Sequence, residues 1–481
     1  MSLLRNVKLE NLRSLVCRRD LLKVGPLAIS ASVLPGLFSG TAGAAFSPSP
    51  SAKAKSVIFL WMGGGVTQLD SLDPKPDAPE QIRGTLSAIP TAISGVQFSE
   101  VCPNLARIAN DLCTVRSFSH DSDDHLLSQV YTLSGRKVTQ AQLFTEPNIG
   151  AIVQYLLGPR NGLPGYMAVP GITRPGPPPH NLFVGGWLGN QYAPFCVGGQ
   201  PDQPDFTVGE KALVPSPVAH EDLNPPELRF PQEVTIGRLE RRSQLRSSLE
   251  DSLRGVEKSG ALPALEGHFR GAFNLLMSPQ VRDAFDITRE TEPTRDEYGR
   301  TKIGGRCLLA RRLVEAGARF VLVDYGYDPD YGNLWDIHNV PEQKFPHVSE
   351  MCKRGYSVAG IDKAFAALIT DLKQRGLLDS TLIVYLTEFG RTPKINLLGG
   401  RDHWGACGSM FFAGAGIRSG QVVGTSDKHA AYPLTRPYGP ADIAATMYQC
   451  LGIEPETRVP DRQGRPSPVL DHGHPIQEAL A

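Results

Sequence analysis

The chain of 481 residues carries 49 basic and 49 acidic side chains, and 41% of its residues are hydrophobic. That length allows one large or two moderate domains with a well-buried core, and the balanced charge excludes a general nucleic-acid or membrane-surface partner. The 49 glycines and 40 prolines fit a loop-rich α/β enzyme better than a helical bundle, and no repeat period is present.

Residues 1–44 read as a signal peptide. Arg18-Arg19-Asp20-Leu21-Leu22-Lys23 resembles the twin-arginine export box. An apolar run from Val24 to Phe38 follows, then Ala42-Gly43-Ala44, a small-x-small cleavage signal before Ala45. The run is short for a spanning helix and is broken by Pro26 and Pro35, so no stable membrane span is expected in the mature chain. The leader implies the twin-arginine export machinery as a partner and a periplasmic or extracellular destination. Residues 45–55 are a Ser/Pro/Ala linker. Residues 56–481 are expected to form one domain, with a loop insertion at about 161–231 and a helical segment at about 232–317. Beyond the leader, seven cysteines remain at 102, 113, 196, 307, 352, 407 and 450. The odd count and the absence of C-x-x-C argue against a zinc–thiolate site and leave one or two disulfides open.

Ser56–Met62 (SVIFLWM) is an apolar run ended by Gly63-Gly64-Gly65, the pattern of a strand buried on both faces. Pro103–Asn110 predicts a helix, Leu112–Phe118 a strand and Asp123–Leu133 a helix with an acidic start suited to its dipole. From Asn161 to about Pro231 the Gly/Pro density predicts long substrate-side loops. Val234–Leu253, Leu265–Leu276 and Pro279–Thr288 carry helical spacing. Ile303–Ala316 is an amphipathic helix ended by Gly317 and followed by the strand Arg319–Tyr325. The same order recurs with Ile361–Gln374 and Thr381–Thr387, and Ser409–Ala413 precedes a helix at Pro440–Cys450. Alternating helices and buried strands predict a three-layer α/β/α sandwich with a largely parallel sheet.

Ligands bind such sheets beyond the carboxyl ends of the strands, where the chemistry-bearing residues cluster. His120-Asp121-Ser122-Asp123-Asp124-His125 packs two imidazoles and three carboxylates before a helix, a density that is costly unless a cation shares the site. His125 near the helix start feels a positive dipole, which keeps its ring neutral, as a ligand or base requires. Asp121 and Asp123 are expected to be helix caps, and Asp124 is a weak ligand candidate. Asp336 and His338 are two apart and share a face if the loop is extended. Glu388 follows the apolar Thr381–Thr387 run directly. Of the adjacent Asp402 and His403, His403 is expected to face the ion and Asp402 to orient it or meet solvent. The expected metal ligands are thus His120, His125, Asp336, His338, Glu388 and His403, with Asp70 and Asp73 as weak candidates. Arg136, Arg391 and Arg401 sit near these clusters and suit an oxyanion such as sulfate or phosphate, or each pairs with a neighbouring ligand carboxylate.

In combination, SVIFLWMGGGVTQLDSLDPKPDAPEQIRG, the His120–His125 cluster with its SGR ending, GRCLLARRLVEAGARFV, WDIH, TEFGRTP and GRDHWG resemble an exported bacterial domain-of-unknown-function family within the alkaline phosphatase and sulfatase superfamily. The resemblance spans essentially the whole mature chain. It implies an alkaline phosphatase-like α/β sandwich with two metal sites flanking a Ser, Thr or Cys nucleophile. The chain departs from that pattern at three places. Met62-Gly63 stands where the first strand usually ends in a ligand Asp. His125 stands where the nucleophile belongs, counting back from Leu133-Ser134-Gly135-Arg136. Glu388-Phe389 replaces the usual Asp-His pair. Asp336, His338 and His403 match the second metal-binding group, and Thr67 and Ser71 are outside candidates for a nucleophile.

The resulting expectation is a metal-dependent hydrolase of sulfate or phosphate esters. An ion-bound water attacks, His125 and Arg391 occupy catalytic positions, and Arg136 and Arg401 neutralise the substrate anion. The divalent ion could be zinc, calcium or manganese. The alternative is a non-catalytic, metal-stabilised secreted binding or partner protein. Gly355-Tyr356-Ser357-Val358-Ala359 lacks the final glycine and the preceding strand of a nucleophile elbow, which sets aside a serine esterase.

Overall fold

The computed structural model describes residues 46–171, 182–198, 223, 241 and 278–481 except 329, 341, 342, 344 and 462. The expected signal peptide, the helical spacing over Val234–Leu253 and Leu265–Leu276, and most of the stretch 161–231 lie outside the described residues. Two compact units divide the chain, Phe46–Leu223 with Asp283–Ala481, and Met1–Ala45 with Asn224–Arg282. All that follows concerns the first unit.

Eight strands build its central sheet: β1 Ser56–Trp61, β2 Leu112–Phe118, β3 Tyr166–Gly171, β4 Phe195–Gly198, β5 Phe320–Asp324, β6 Thr381–Leu386, β7 Gly408–Gly414 and β8 Gln421–Val423. Their spatial order is β8-β2-β7-β6-β1-β5-β3-β4. Every neighbouring pair is parallel except those made by β7, which runs against both β6 and β2. β1 is central, with Ser56–Trp61 opposite Thr381–Leu386 on one side and Val57–Trp61 opposite Phe320–Asp324 on the other. All six of its residues are buried, as its unbroken apolar sequence requires.

Five longer helices are α1 His125–Ser134, α2 Ile149–Leu157, α3 Lys302–Ala316, α4 Val358–Gln374 and α5 Pro440–Cys450. Strand alternation sends Val57, Phe59 and Trp61 to one face, where they share a core with Val130 and Leu133 of α1, Ile149 and Ile152 of α2, and Ile443 and Met447 of α5. On the other face α3 packs along β1 and β5, and Phe365 of α4 meets Tyr385 and Phe411. The α/β class, the three layers and the largely parallel sheet are as the sequence predicts. One reading is corrected. The Gly/Pro-rich stretch from Asn161 is not purely loop, because Tyr166–Gly171 forms the interior strand β3 and Phe195–Gly198 the edge strand β4.

The polarity of the strands fixes where the site lies. β1, β2, β5 and β6 all point their carboxyl ends to one edge of the sheet. Those ends release Gly63–Gly65, Ser119–His125, the loop to Asp336–His338, and Thr387-Glu388. β7 is antiparallel, so its amino end lies at the same edge, and the chain entering it carries His403. α1 is anchored at both ends. The Asp124 carboxylate accepts the Leu127 N–H at 2.8 Å, and Gly135 ends the helix in the left-handed region at φ 72°.

A side chain at Gly135 would be doubly penalised, since a Cβ would stand 2.5 Å from Ala444 Cβ and 2.7 Å from Leu470 Cδ2. Gly135→Ala is expected to cost about 2–4 kcal/mol, combining left-handed strain with overpacking. Urea unfolding measures this, and an unchanged midpoint would show that the end of α1 is not pinned by that contact.

Candidate metal centre

The edge loops bring Asp336, His125, His338 and His403 to one point. Asp336 Oδ1 lies 3.2 Å from His125 Nε2 and 3.1 Å from the Nε2 atoms of both His338 and His403. The Nε2 atoms of His338 and His403 are 2.8 Å apart. Candidate ligand atoms of His125, Asp336 and His403 all fall within 4.8 Å of one another. Each of the four side chains is 18–26% exposed, open enough for a small molecule to reach.

The other nitrogen of each ring decides what the Nε2 atoms can do. His125 Nδ1 is 2.8 Å from Glu388 Oε1, His338 Nδ1 is 2.8 Å from Asp402 Oδ1, and His403 Nδ1 is 2.8 Å from the Asp123 carbonyl oxygen. All three partners are acceptors, so each neutral ring carries its proton on Nδ1 and presents a bare lone pair at Nε2. Those lone pairs face each other and a carboxylate oxygen. His125 Nε2 is buried, and the oxygen that faces it, Asp336 Oδ1 at 3.2 Å, is not in good line for a hydrogen bond. Such an arrangement lacks a positive charge at its centre, and a divalent cation supplies one with the second-layer oxygens already in place.

Glu388 is the keystone behind His125, and it corrects the expectation of a direct ligand. Its fully buried carboxylate accepts the Gly64 N–H at 2.7 Å, the Gly65 N–H at 3.2 Å, the Gln129 amide at 2.8 Å and His125 Nδ1. Gly64 and Gly65 reach it with φ of 130° and 86°, and a Cβ at Gly65 would lie 2.7 Å from the Phe389 ring. The glycine turn after β1 is therefore a backbone cradle for a carboxylate contributed by β6.

Charge follows this geometry. Burial, the largest influence, pushes the Asp336 carboxyl up, but the three imidazoles and Arg391 outweigh it and hold it well below the usual range. For His125 burial lowers the pKa, and the hydrogen bonds to Asp336 and Glu388 raise it further than burial depresses it. The bond to Asp336, then that to Asp402, raises His338 against the effect of burial.

The other expected site residues have different employment. His120 is turned away from the cluster. Its Nδ1 accepts the Ser122 N–H at 3.3 Å and its Nε2 donates to the Glu388 carbonyl, so it has no lone pair for an ion, and burial lowers its pKa. Asp402 orients His338, not His403. Asp124, not Asp121 or Asp123, caps α1, while Asp121 pairs with Lys137 and Asp123 binds the Gly405 N–H at 2.5 Å. Arg391 is fully buried, donating to the carbonyls of Gly64, Gly65 and Arg401 and, at 3.0 Å, to Asp336. It therefore steadies Asp336 from behind. Arg401 is also fully buried and engages Asp70 at 2.8 Å with three backbone carbonyls. Arg136 pairs with Glu146 at 3.1 Å and Asp471 at 2.6 Å. Arg391 thus pairs with a candidate ligand carboxylate and Arg401 with the weak candidate Asp70, whereas the partners of Arg136 lie outside the candidate set. Asp73 is tied to Ser426, Lys75 and Arg116. Thr67 donates to Asp70 at 2.8 Å and Ser71 to the Thr67 carbonyl at 2.5 Å, and both are buried, which removes them as nucleophiles. The roles that sequence reasoning missed are the Asp123 carbonyl, Gln129 and the Gly64–Gly65 cradle.

His338→Ala and His403→Ala should each drop bound metal per chain to near zero, whereas His120→Asn should retain it. Asp402→Asn should weaken metal affinity about 10–100-fold by freeing the His338 ring. Elemental analysis and chelator competition measure both, and metal retained in the two alanine variants would place the ion elsewhere.

No curated protein sequence matches the chain. Residues 54–480 match a family described as Protein of unknown function (DUF1501). Among solved structures the chain is similar to the phosphonate monoester hydrolase SpPMH from Silicibacter pomeroyi, at 14% identity over 88% of this chain and 76% of that one, with a TM-score of 0.39. It is also similar to the phosphonate monoester hydrolase of Agrobacterium radiobacter (14% identity, 90% and 77% coverage, TM-score 0.35). A third similarity is to the C-terminal periplasmic domain of EcEptC from Escherichia coli in complex with Zn (11% identity, 85% and 85% coverage, TM-score 0.35).

Proposed function

The chain belongs to the DUF1501 family, whose description assigns no activity, and we propose from its site that it is an exported metal-dependent hydrolase of sulfate or phosphate esters. The observation that carries this reading is the set of three Nε2 lone pairs and one carboxylate oxygen directed at a single partly open point.

Three imidazoles and one carboxylate suit zinc or manganese. They do not suit calcium, which takes oxygen ligands. When bound, such an ion supplies Lewis acidity and brings a water ligand toward neutral pKa. The chain's own residues do the rest. Glu388 and Asp402 hold the His125 and His338 rings with Nε2 inward, and the Asp123 carbonyl does the same for His403. Arg391 and its backbone bonds fix Asp336. Among the described residues no arginine is left to meet an oxyanion at the centre, so the ester's negative charge is matched there by the cation. With Thr67 and Ser71 buried and bonded, the reaction proceeds without a protein hydroxyl as nucleophile.

That missing nucleophile also favours a second reading, a metal-stabilised binding protein without turnover. Aryl sulfate, aryl phosphate and aryl phosphonate esters, assayed with zinc- and manganese-loaded protein, separate the two. Hydrolysis that is abolished by chelation and by Asp336→Asn, but kept in Ser71→Ala, is the expected result. Stoichiometric metal with no turnover of any of these esters would establish the binding protein. The twin-arginine leader carries the export part of the proposal. Fusion of residues 1–44 to a folded reporter should send it across the membrane, and Arg18→Lys with Arg19→Lys should block it.

A further inference from the structure

Beside the metal centre lies an open cavity of about 720 Å³, within the usual range of about 300–1,000 Å³ for small-molecule sites. His120, Asp121, Tyr131, Lys137, Tyr432 and His472 carry its chemistry. None of them has a role at the ion.

The partition between cavity and metal centre is one layer of chain. The His120 N–H bonds the Gly405 carbonyl at 2.9 Å, and the Gly405 N–H bonds the Asp123 carboxylate at 2.5 Å. The Asp123 carbonyl in turn accepts from ligand His403. Strand alternation continues the link. In the two-residue strand His403–Trp404, successive side chains leave opposite faces. His403 goes to the ion, and Trp404 packs edge-on against Tyr432 with ring centroids 5.5 Å apart.

Tyr432 is held, yet bare. The hairpin that bears it is closed by the Ser426–Pro433 bridge, by the Asp427 N–H on the Tyr432 carbonyl at 2.9 Å, and by the Asp427 carboxylate accepting the N–H groups of His429 and Ala431. Trp404 Nε1 donates to the Ala431 carbonyl at 2.6 Å. Even so, Tyr432 remains 53% exposed. A rigid aromatic face at a cavity wall offers stacking at little entropic cost. Opposite chemistry shares the cavity. Lys137 and Asp121 form an open ion pair, 56% and 70% exposed, and Tyr131 Oη stands 3.3 Å from His472 Nε2.

These groups discriminate among ligand classes. A purely apolar ligand would strip water from the ion pair and from the Tyr131–His472 pair without replacing its hydrogen bonds. A purely anionic ligand would meet the Asp121 carboxylate as well as Lys137. A polyhydroxylated ring satisfies all of them, with C–H faces for Tyr432 and hydroxyls that both donate to Asp121 and accept from Lys137. We propose that this cavity is a sugar-binding subsite, walled off from the metal centre by the Gly405–Asp123 layer and open to solvent.

Calorimetric titration of the mature chain with neutral methyl glycosides and the corresponding disaccharides tests the subsite without any hydrolysis. The expected result is saturable binding, weakened about tenfold in Tyr432→Ala and in Lys137→Ala, the loss of roughly one aromatic or charged contact. His338→Ala, which removes a metal ligand, should bind these sugars as the wild type does. No saturable binding by any of these sugars, or equal binding in both cavity variants, overturns the subsite, whatever the esterase assays show.

Discussion

The site is organised by protons that are already committed. Each of three imidazoles gives its Nδ1–H to an oxygen held by a different part of the chain, and this leaves three lone pairs and a carboxylate crowded within 3.2 Å. Without positive charge between them these atoms repel. The surrounding structure exists to hold that repulsion in place. Glu388 sits in a cradle of backbone N–H groups, Asp402 is bonded to Asn396 at 3.2 Å, and Arg391 is fixed by three carbonyls. A cation-binding site built this way is preorganised, because its ligands need not turn or lose protons to each other before binding.

Sheet topology explains why residues so far apart in sequence arrive together. Four parallel strands deliver loops to one edge, and the reversed β7 lets a fifth connection enter from the same side. The two-residue pairing of Gly390–Arg391 with His403–Trp404 then ties the arginine behind Asp336 to the histidine beside it. One short ladder thereby sets both the charge behind the carboxylate and the lone pair in front of it.

Much of this was legible in the sequence, for identifiable reasons. Strands buried on both faces write continuous apolar runs, so β1, β2, β5 and β6 could be read directly, and their ends marked the edge where ligands gather. Asp336 and His338 stood out by their two-residue spacing, and His403 by its place after an apolar run. What could not be read was the division of labour among polar neighbours. Glu388 and Asp402 have the composition of ligands, and only their partners show that they orient imidazoles. His120 and His125 are five positions apart and look alike, yet the start of α1 separates them, and His125 faces Asp336 while His120 faces a cavity. The arginines were ambiguous because a guanidinium that binds substrate and one that is sealed under three carbonyls have the same letter. β3 and β4 were hidden by the Gly and Pro around them, since the run YMAVPG itself ends in Pro170-Gly171 and β4 is only four residues long.

The position of β1 in the sheet has a consequence in time. Both of its partners, Phe320–Asp324 and Thr381–Leu386, are encoded roughly 300 residues after it. At about 5–20 residues per second, the ribosome needs on the order of 15–60 s to make the second of them. Throughout that interval the apolar SVIFLW has neither of its strand partners and reads as an aggregation-prone segment. The fold cannot begin at its own centre. It must be assembled late, around a strand that something else keeps safe until the chain is nearly complete.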